Sequence, residues 1–282
     1  MPGTLYIVAT PIGNLADMTP RGVQVLHDAD MIAAEDTRHS RVLLAHFGIK
    51  TPSFSCHKFN EEKRGDFFIQ VLLEGKNIAL ISDAGTPCIS DPGHKLVKLA
   101  GDNGIDVVAV CGANAVAAAL SVSGFDASNF IFLGFLPRTQ KEQADIFSID
   151  MDCPVVFFES PLRITKTLGW LAEAYPNADI CLCNDLTKKF EKVYRGRVGA
   201  LLEKVSNAQN ARKGEYTCVV RLNAEKAQPA PEHEFSLEAQ LVDIMIKESC
   251  TLKDATNILH AAQKSGKKSI YAAALRVKEL FV

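Results

Sequence analysis

The sequence lacks several features that would place it in common protein classes. It has no apolar run near the roughly 18 residues that a membrane-spanning helix needs, and no basic segment followed by an apolar one at its start. Its eight cysteines form no CxxC pair, which argues against a zinc site or a disulfide framework. We therefore expect a soluble cytoplasmic protein whose cysteines are mostly buried free thiols.

The chain also has little net charge and no standard phosphate-binding motif. A formal charge of −2 at pH 7 gives no general attraction to nucleic acid, so such binding would need local basic patches. Neither GxGxxG nor GxxxxGK[ST] occurs, so the sequence indicates neither a dinucleotide fold nor a P-loop. No group of His, Cys and carboxylate residues has the spacing of metal ligands, and we predict no metal.

What the chain does have is a series of short, β-branched apolar segments separated by helical patterns. In the first 120 residues these segments predict strands at 5–9, 31–34, 78–81 and 107–110. A βαβ series of this kind predicts a mainly parallel sheet. Further predicted strands lie at 130–135, 154–158, 180–183 and 216–222.

The length of 282 residues fits about two domains of roughly 100–200 residues each. We predict an α/β domain over 1–136, a second α/β domain over 137–224, and a basic helical tail over 232–282 after a linker at 224–231. The last 30 residues carry six basic and two acidic side chains. This charge makes the tail a candidate for RNA or DNA contact, although a solvated helical cap is an equally good interpretation of it.

Three of the predicted strands run into corners rich in glycine or proline. These corners are TPIGN at 10–14, SDAGTP at 82–87 and CGANA at 111–115. Open α/β sheets bind ligands beyond the carboxyl ends of their strands, and glycine lets the backbone approach a ligand closely. We therefore predict the site at these corners. Asp83 is a candidate acceptor for a ribose or amino group, or a cap of its own turn; Asp91, before Pro92, is predicted to cap a helix.

Six motifs in order resemble the tetrapyrrole-methylase-like superfamily of class III methyltransferases. They are VATPIGN at 8–14, EDTR at 35–38, SDAGTP with SDPG at 82–93, GFLPR at 134–138, FES at 158–160 and LTK at 186–188. Within that superfamily they are most similar to methyltransferases that act on small-subunit ribosomal RNA. The resemblance runs from about residue 4 to residue 280. The chain departs from the family pattern at Cys111, Asn114 and Asp185.

The resemblance implies two α/β domains that clasp S-adenosylmethionine, usually in a homodimer. It also implies 2′-O-methylation of a ribose in 16S rRNA of the 30S subunit, at cytidine 1402 of that RNA. Carried over by position, the cofactor contacts would come from Pro11, Asp83, Ala84, Gly85, Ile89, Asn114, Ala115, Phe158, Thr187 and Thr217. Strand alternation lets only one of Phe157 and Phe158 face the cleft.

Methyl transfer to a hydroxyl needs a base near the oxygen, and a positioned base contributes roughly 10²–10⁴-fold in rate. Glu35 and Asp36 are the first candidates for this base, with Glu159 as another. Lys188 is a candidate for stabilising the developing alkoxide. The alternatives are that Glu35 and Asp36 form a turn ion pair with a nearby arginine, and that Lys188 is a solvated lysine.

Candidate RNA contacts are the basic residues near the predicted cleft and in the tail: Arg38, Arg138, Lys189, Lys267 and Lys268. Two other functions fit the same fold. One is C-methylation of a tetrapyrrole, which a basic tail does not favour. The other is a non-catalytic RNA-binding assembly factor, which predicts RNA binding without affinity for S-adenosylmethionine.

Overall fold

The computed structural model describes residues 1–147, 152–207, 213–222, 236–248, 250–262 and 267–279. The chain separates into two compact units, Met1–Ala224 and Glu225–Val282. The predicted linker at 224–231 lies outside the described residues. Among the residues that the structure describes, no helix combines the length and apolar character needed to cross a membrane.

The first unit begins with a parallel five-stranded sheet in the order β3-β2-β4-β1-β5. Its strands are β1 (Leu5–Val8), β2 (Met31–Ala34), β3 (Ser53–Ser55), β4 (Ile78–Ile81) and β5 (Val107–Val110). The predicted parallel sheet is confirmed, with the four predicted strands in place. Sequence patterning missed β3, which has three residues and carries serine at both ends.

Five helices connect and follow these strands. They are α1 (Pro20–Asp28), α2 (Thr37–His46), α3 (Glu61–Leu73), α4 (His94–Asp102) and α5 (Ala115–Ser123). The Thr19 side chain accepts from the amide of Gly22 at 3.0 Å and so caps α1, with Pro20 at its first position. Sequence patterning did not predict α2, a mostly polar helix that Asp36 caps.

The predicted cap of α4 by Asp91 is wrong. The helix begins at His94, and the buried carboxylate of Glu61 on α3 supplies the cap instead. Glu61 Oε1 accepts from the amides of Gly93 at 3.0 Å, Lys95 at 2.8 Å and Leu96 at 3.2 Å. Because α3 packs against α4, a residue from a distant part of the sequence satisfies these amide groups. The Asp91 side chain is therefore left for another role.

The second half of the first unit contains another five-stranded sheet, in the order β6-β7-β10-β8-β9. Its elements are β6 (Ile131–Phe135), α6 (Gln140–Phe147), β7 (Val155–Glu159), α7 (Ile164–Ala174), β8 (Asp179–Asn184), β9 (Lys192–Arg197), α8 (Val198–Ser206) and β10 (Tyr216–Arg221). β6 and β7 pair in parallel, and the other pairs are antiparallel. Sequence patterning missed β9 because this edge strand is basic, and it missed α6 because that helix is mostly polar.

Helix α5 joins the two sheets. It follows the corner at 111–115, and its buried residues Val116, Ala119 and Leu120 pack against the second sheet, including Val156 and Val219. Its small alanine side chains allow close approach to that sheet. The three described helices of the second unit, α9 (Leu237–Lys247), α10 (Leu252–Ala262) and α11 (Lys267–Glu279), match the predicted helical tail and pack around a core of their own.

The cysteines are free thiols, as expected. The expectation that most of them are buried is only half right. Cys56, Cys181, Cys183 and Cys218 are buried, whereas Cys111 is exposed at the third corner. Cys111 therefore takes no part in the core.

Candidate functional site

The three predicted corners lie against one another in the folded protein. Thr10 N donates to Gly85 O at 2.9 Å, and Gly85 N donates to Thr10 O at 3.0 Å. Thr86 Oγ1 donates to Ala113 O at 3.2 Å, which connects the second corner to the third. Gly85 has a φ of +84°, and a Cβ there would lie 3.3 Å from Ile12 Cγ2. Glycine therefore permits both the turn and the close approach of the corners.

A cavity of about 500 Å³ lies between these corners and the ends of β7 and β10. Its volume is within the range of small-molecule sites, roughly 300–1,000 Å³. Both halves of the first unit line it. Its lining residues include Ile12, Glu35, Asp83, Ala84, Gly85, Ile89, Asp91, Asn114, Ala115, Phe135, Phe158, Glu159, Glu215 and Thr217.

Most of the predicted cofactor contacts line this cavity. The structure places Asp83, Ala84, Gly85, Ile89, Asn114, Ala115, Phe158 and Thr217 there, whereas Pro11 and Thr187 are not among the lining residues. Phe158 faces the cavity, and its neighbour Phe157 is buried in the core on the other side of the sheet. The departure at Asn114 has a structural explanation, since its side chain caps α5 by accepting from Val116 N at 2.9 Å and Ala117 N at 3.1 Å.

Thr187 lies on a strained loop between β8 and β9. Its φ is +65°, which is unusual for a β-branched residue and costs energy that the surrounding fold must supply. Within the described part of the chain, its buried Oγ1 has no hydrogen-bond partner. The next residue, Lys188, packs against Gly13. This loop of the second sheet therefore meets the first corner, which contains Pro11.

Three carboxylates line the cavity at the ends of β2 and β4. Burial raises the pKa of Glu35, an effect that the Asp83 amide partly offsets and the charges of Asp91 and Asp83 reinforce. Burial also raises the pKa of Asp91; a hydrogen bond with Ser82 lowers it, and the charge of Asp83 raises it further. Asp83 Oδ1 accepts a hydrogen bond from Asp36 N at 3.1 Å. This bond connects the corner at 82–87 to the end of β2.

The structure separates Glu35 from Asp36, which the sequence had grouped together as candidate bases. Asp36 is not among the lining residues, and its Oδ2 lies 2.7 Å from Arg38 Nη2. The side-chain and backbone hydrogen bonds with Arg38 hold the pKa of Asp36 well below its usual range. The ion-pair interpretation therefore describes Asp36, whereas Glu35, unlike Asp36, lines the cavity.

Lys188 forms ion pairs, so the alternative of a solvated lysine is wrong. Its Nζ lies 3.0 Å from Asp185 Oδ1 and 3.1 Å from Glu215 Oε2. Burial works to lower the pKa of Lys188, but these two carboxylates together raise it. Lys188 is not among the lining residues, although its partner Glu215 is.

Glu159 is fully buried and is held by hydrogen bonds. Its Oε1 accepts from Ser160 N at 2.7 Å and lies 3.1 Å from Arg163 Nε, and its Oε2 accepts from Thr167 Oγ1 at 2.6 Å. A carboxylate held in this way is poorly placed to take a proton from a substrate. Glu159 is therefore a structural residue at the edge of the cavity.

The candidate RNA contacts within the first unit are exposed. Arg38 pairs with Asp36, Arg138 follows β6, and the Lys189 ammonium lies 5.6 Å from the ring centroid of Phe190. Lys267 and Lys268 begin α11, but their side chains lie outside the described residues. No group of His, Cys, Asp and Glu in the described part of the chain could hold a metal ion.

Comparison with known proteins identifies the family. The family model described as Tetrapyrrole (Corrin/Porphyrin) Methylases matches residues 4–202. The chain is 45% identical over 230 residues to the ribosomal RNA small subunit methyltransferase I of Halalkalibacterium halodurans, which covers 80% of this chain and 78% of that relative.

The ribosomal RNA small subunit methyltransferase I of Neisseria meningitidis serogroup B is 39% identical to this chain over 278 residues. The match covers 98% of this chain and 94% of that relative. Among solved structures, uroporphyrin-III C-methyl transferase from Thermus thermophilus complexed with S-adenyl homocysteine matches at a TM-score of 0.55. It is 15% identical, covering 77% of this chain and 97% of that one. The chain therefore belongs to the tetrapyrrole methylase family and, within it, to the family of ribosomal RNA small subunit methyltransferase I.

Proposed function

We propose that this chain uses S-adenosylmethionine to methylate the 2′-hydroxyl of a cytidine ribose in 16S rRNA. Its substrate is the small ribosomal subunit, its location the cytoplasm, and its working form a homodimer. The relatives named for small-subunit RNA methylation support the reaction class, and the S-adenyl homocysteine complex of a protein with the same fold supports the cofactor. The observation that carries the proposal is the cavity in which Glu35 faces the predicted cofactor contacts.

The residues at the cavity fit S-adenosylmethionine. The backbone of Ala84 and Gly85 is open to close approach, and Ile89 and Phe158 supply apolar surface. Nearby carboxylates favour a cation in this partly buried space, as the sulfonium requires.

When bound, S-adenosylmethionine supplies an electrophilic methyl group for in-line transfer to an oxygen. The protein contributes the alignment of the ribose with that methyl group and the removal of the hydroxyl proton. Glu35 would take that proton onto its carboxylate, while the bound cofactor would supply the methyl group and keep its sulfur as the leaving thioether. A raised pKa makes Glu35 a stronger base than an ordinary glutamate, whereas the ion pair with Arg38 makes Asp36 a weaker one.

RNA binding uses the basic surface formed by β9 and the residues before it. Lys192, Arg195 and Arg197 lie on the edge strand β9, and Lys189 precedes it. These side chains, Arg138 after β6 and the lysines of the tail each offer positive charge to phosphate groups. We expect the affinity for RNA to fall steeply with salt, as it does for contacts that release counterions.

The test combines methyl transfer with binding. The protein is incubated with labelled S-adenosylmethionine and 30S subunits from cells that lack the gene, and ribose methylation is mapped on 16S rRNA. Label at one cytidine 2′-oxygen supports the proposal. Transfer to uroporphyrinogen but not to subunits would instead indicate the tetrapyrrole activity. Calorimetry that shows RNA binding without S-adenosylmethionine binding would indicate a non-catalytic assembly factor.

A further inference from the structure

One aromatic side chain, Phe135, lines the cavity and is also largely exposed. Phe135 is 61% exposed and still forms part of the cavity wall. Exposed phenylalanine is unfavourable in water, and here the ring sits beside carboxylates and the predicted cofactor contacts. Its position at the mouth of the cavity calls for an explanation beyond packing.

A β-bulge directs this ring into the cavity. The register between β6 and β7 pairs Phe132 with Val156 and then Phe135 with Phe158, so one extra residue of β6 is accommodated. Gly134, with a φ of +64°, lies within this irregular step. Regular alternation would place Phe132 and Phe135 on opposite faces. The bulge brings them to the same face, as bulges beside active sites do when they redirect a side chain.

Buried polar contacts hold the backbone that follows Phe135. The Arg163 guanidinium donates to Leu136 O at 2.8 Å and to Pro137 O at 2.9 Å. The buried carboxylate of Glu159 fixes Arg163 at 3.1 Å. Gln143 donates a further bond to Pro137 O at 2.8 Å. The exposed ring is therefore carried on a rigid support, which also explains why this carboxylate is buried at the cavity edge.

The ring is further held by aromatic contacts. The Phe135 and Phe158 ring centroids lie 5.6 Å apart at 63°, and those of Phe158 and Phe132 lie 5.1 Å apart at 67°. Such edge-to-face packing fixes a ring without covering it. The large exposed fraction of Phe135 leaves its surface available for a flat ligand.

We propose that Phe135 is the platform on which the nucleobase of the target nucleotide stacks. This inference rests on the proposed function. The ribose must lie within reach of Glu35, so the base attached to that ribose must lie in or beside the same cavity. A base taken out of its RNA stack loses stacking energy, and an aromatic side chain restores part of it. Arg138, three residues further on, is exposed and offers a positive charge to an adjacent phosphate.

The experiment measures steady-state methylation of 30S subunits and calorimetric affinity for S-adenosylmethionine in a set of variants. We expect Phe135→Ala to lower kcat/KM for subunits roughly tenfold to a hundredfold, in line with the loss of one base–aromatic stack. The cofactor affinity should stay within about twofold. Phe135→Trp should retain most of the activity, and Phe135→Leu should lie between the two, because stacking needs a flat π surface.

The matched control is Phe59→Ala, since Phe59 is 90% exposed and is not among the lining residues. The proposal is overturned if Phe135→Ala loses no more activity than Phe59→Ala, or if Phe135→Leu equals the tryptophan variant. It is also overturned if Phe135→Ala loses cofactor affinity in proportion to activity, because the ring would then serve the cofactor. Failure of the proposed function is distinct, since the unaltered protein would then methylate no subunits.

Discussion

The two walls of the cavity are built in different ways. The wall from the first sheet is made of backbone corners and carboxylates, with Gly85, Asp83 and Glu35 at the ends of parallel strands. The wall from the second sheet is made of side chains on β6, β7 and β10, with Phe135, Phe158 and Thr217 exposed to the cavity. Both walls carry predicted cofactor contacts. We infer that the first wall also supplies Glu35 as the proton acceptor, and that the second also supplies Phe135 as the surface for the nucleobase.

Loss of the predicted proton acceptor Glu35 from the first wall should have the strongest effect. Glu35→Gln should lower kcat for methyl transfer by about 10²–10⁴-fold, the usual contribution of a positioned base, with cofactor affinity retained. Single-turnover methylation of 30S subunits measures this. Asp36→Asn is the matched control, because asparagine still caps a helix and the structure keeps Asp36 off the cavity wall. An equal loss in both variants would remove the distinction between these neighbours.

The raised pKa of Glu35 has consequences for both activity and stability. A base must be ionised, so kcat/KM should fall as the pH is lowered, through a pKa above the ordinary glutamate value. A folded-state pKa above the unfolded value also means that the folded protein holds the proton more tightly. Stability linked to Glu35 is therefore full at low pH and is lost as pH rises through the folded pKa.

Glu35→Gln should accordingly raise the midpoint of thermal unfolding at neutral pH while it abolishes most activity. The comparison is made by calorimetry at neutral pH and again at a pH below the unfolded pKa of glutamate, where the difference should shrink. A variant that is less stable than the unaltered protein at neutral pH would contradict the burial of this carboxylate.

On the second wall, the largest effect should come from the support of Phe135. Glu159→Ala leaves Arg163 without its buried partner and should lower the free energy of unfolding by about 3 kcal/mol, as for other broken buried pairs. Urea denaturation measures it. Lys98 and Asp102 form an exposed ion pair on α4, and Asp102→Ala should change stability little. Equal effects in the two variants would show that burial does not strengthen the Glu159 pair.

A substitution at Gly85, in the corner at 82–87, should have a smaller effect. Gly85→Ala should cost about 1–2 kcal/mol from its positive φ and should also weaken S-adenosylmethionine binding, because the new Cβ would press on Ile12. Gly104 has a φ of +67°, and a Cβ added there would meet no atom within 4 Å. Gly104→Ala should therefore show the same loss of stability with unchanged cofactor affinity. Calorimetric titration of both variants with S-adenosylmethionine separates the effect of backbone strain from the effect of the new Cβ at the cavity.

The smallest expected effects concern the basic tail. Replacing Lys267 and Lys268 by glutamate should weaken binding to 30S subunits a few-fold and reduce its salt dependence, since phosphate contacts are lost. Cofactor affinity should not change. Filter binding at several salt concentrations measures this, and unchanged RNA binding would exclude a role of the tail in substrate contact.

The sequence predicted the first wall better than the second. The corners at 10–14, 82–87 and 111–115 follow continuous apolar strands, and local patterning is enough to find them. The role of Asp91 was not predictable, because Glu61, far away in the sequence, caps α4 in its place. The orientation of Phe135 depends on a bulge in the register between two strands. Gly134 within an apolar strand was the one local signal for that bulge, and strand alternation alone points the ring the wrong way.

The decisive measurement is a structure of this chain with S-adenosylhomocysteine, the product of methyl transfer. We predict that the ligand lies against the backbone of residues 83–85 and the ring of Phe158, with Glu35 and Phe135 left uncovered for the ribose and its base. A ligand bound outside this cavity, or one that covers Phe135 and separates Glu35 from the incoming hydroxyl, would contradict it.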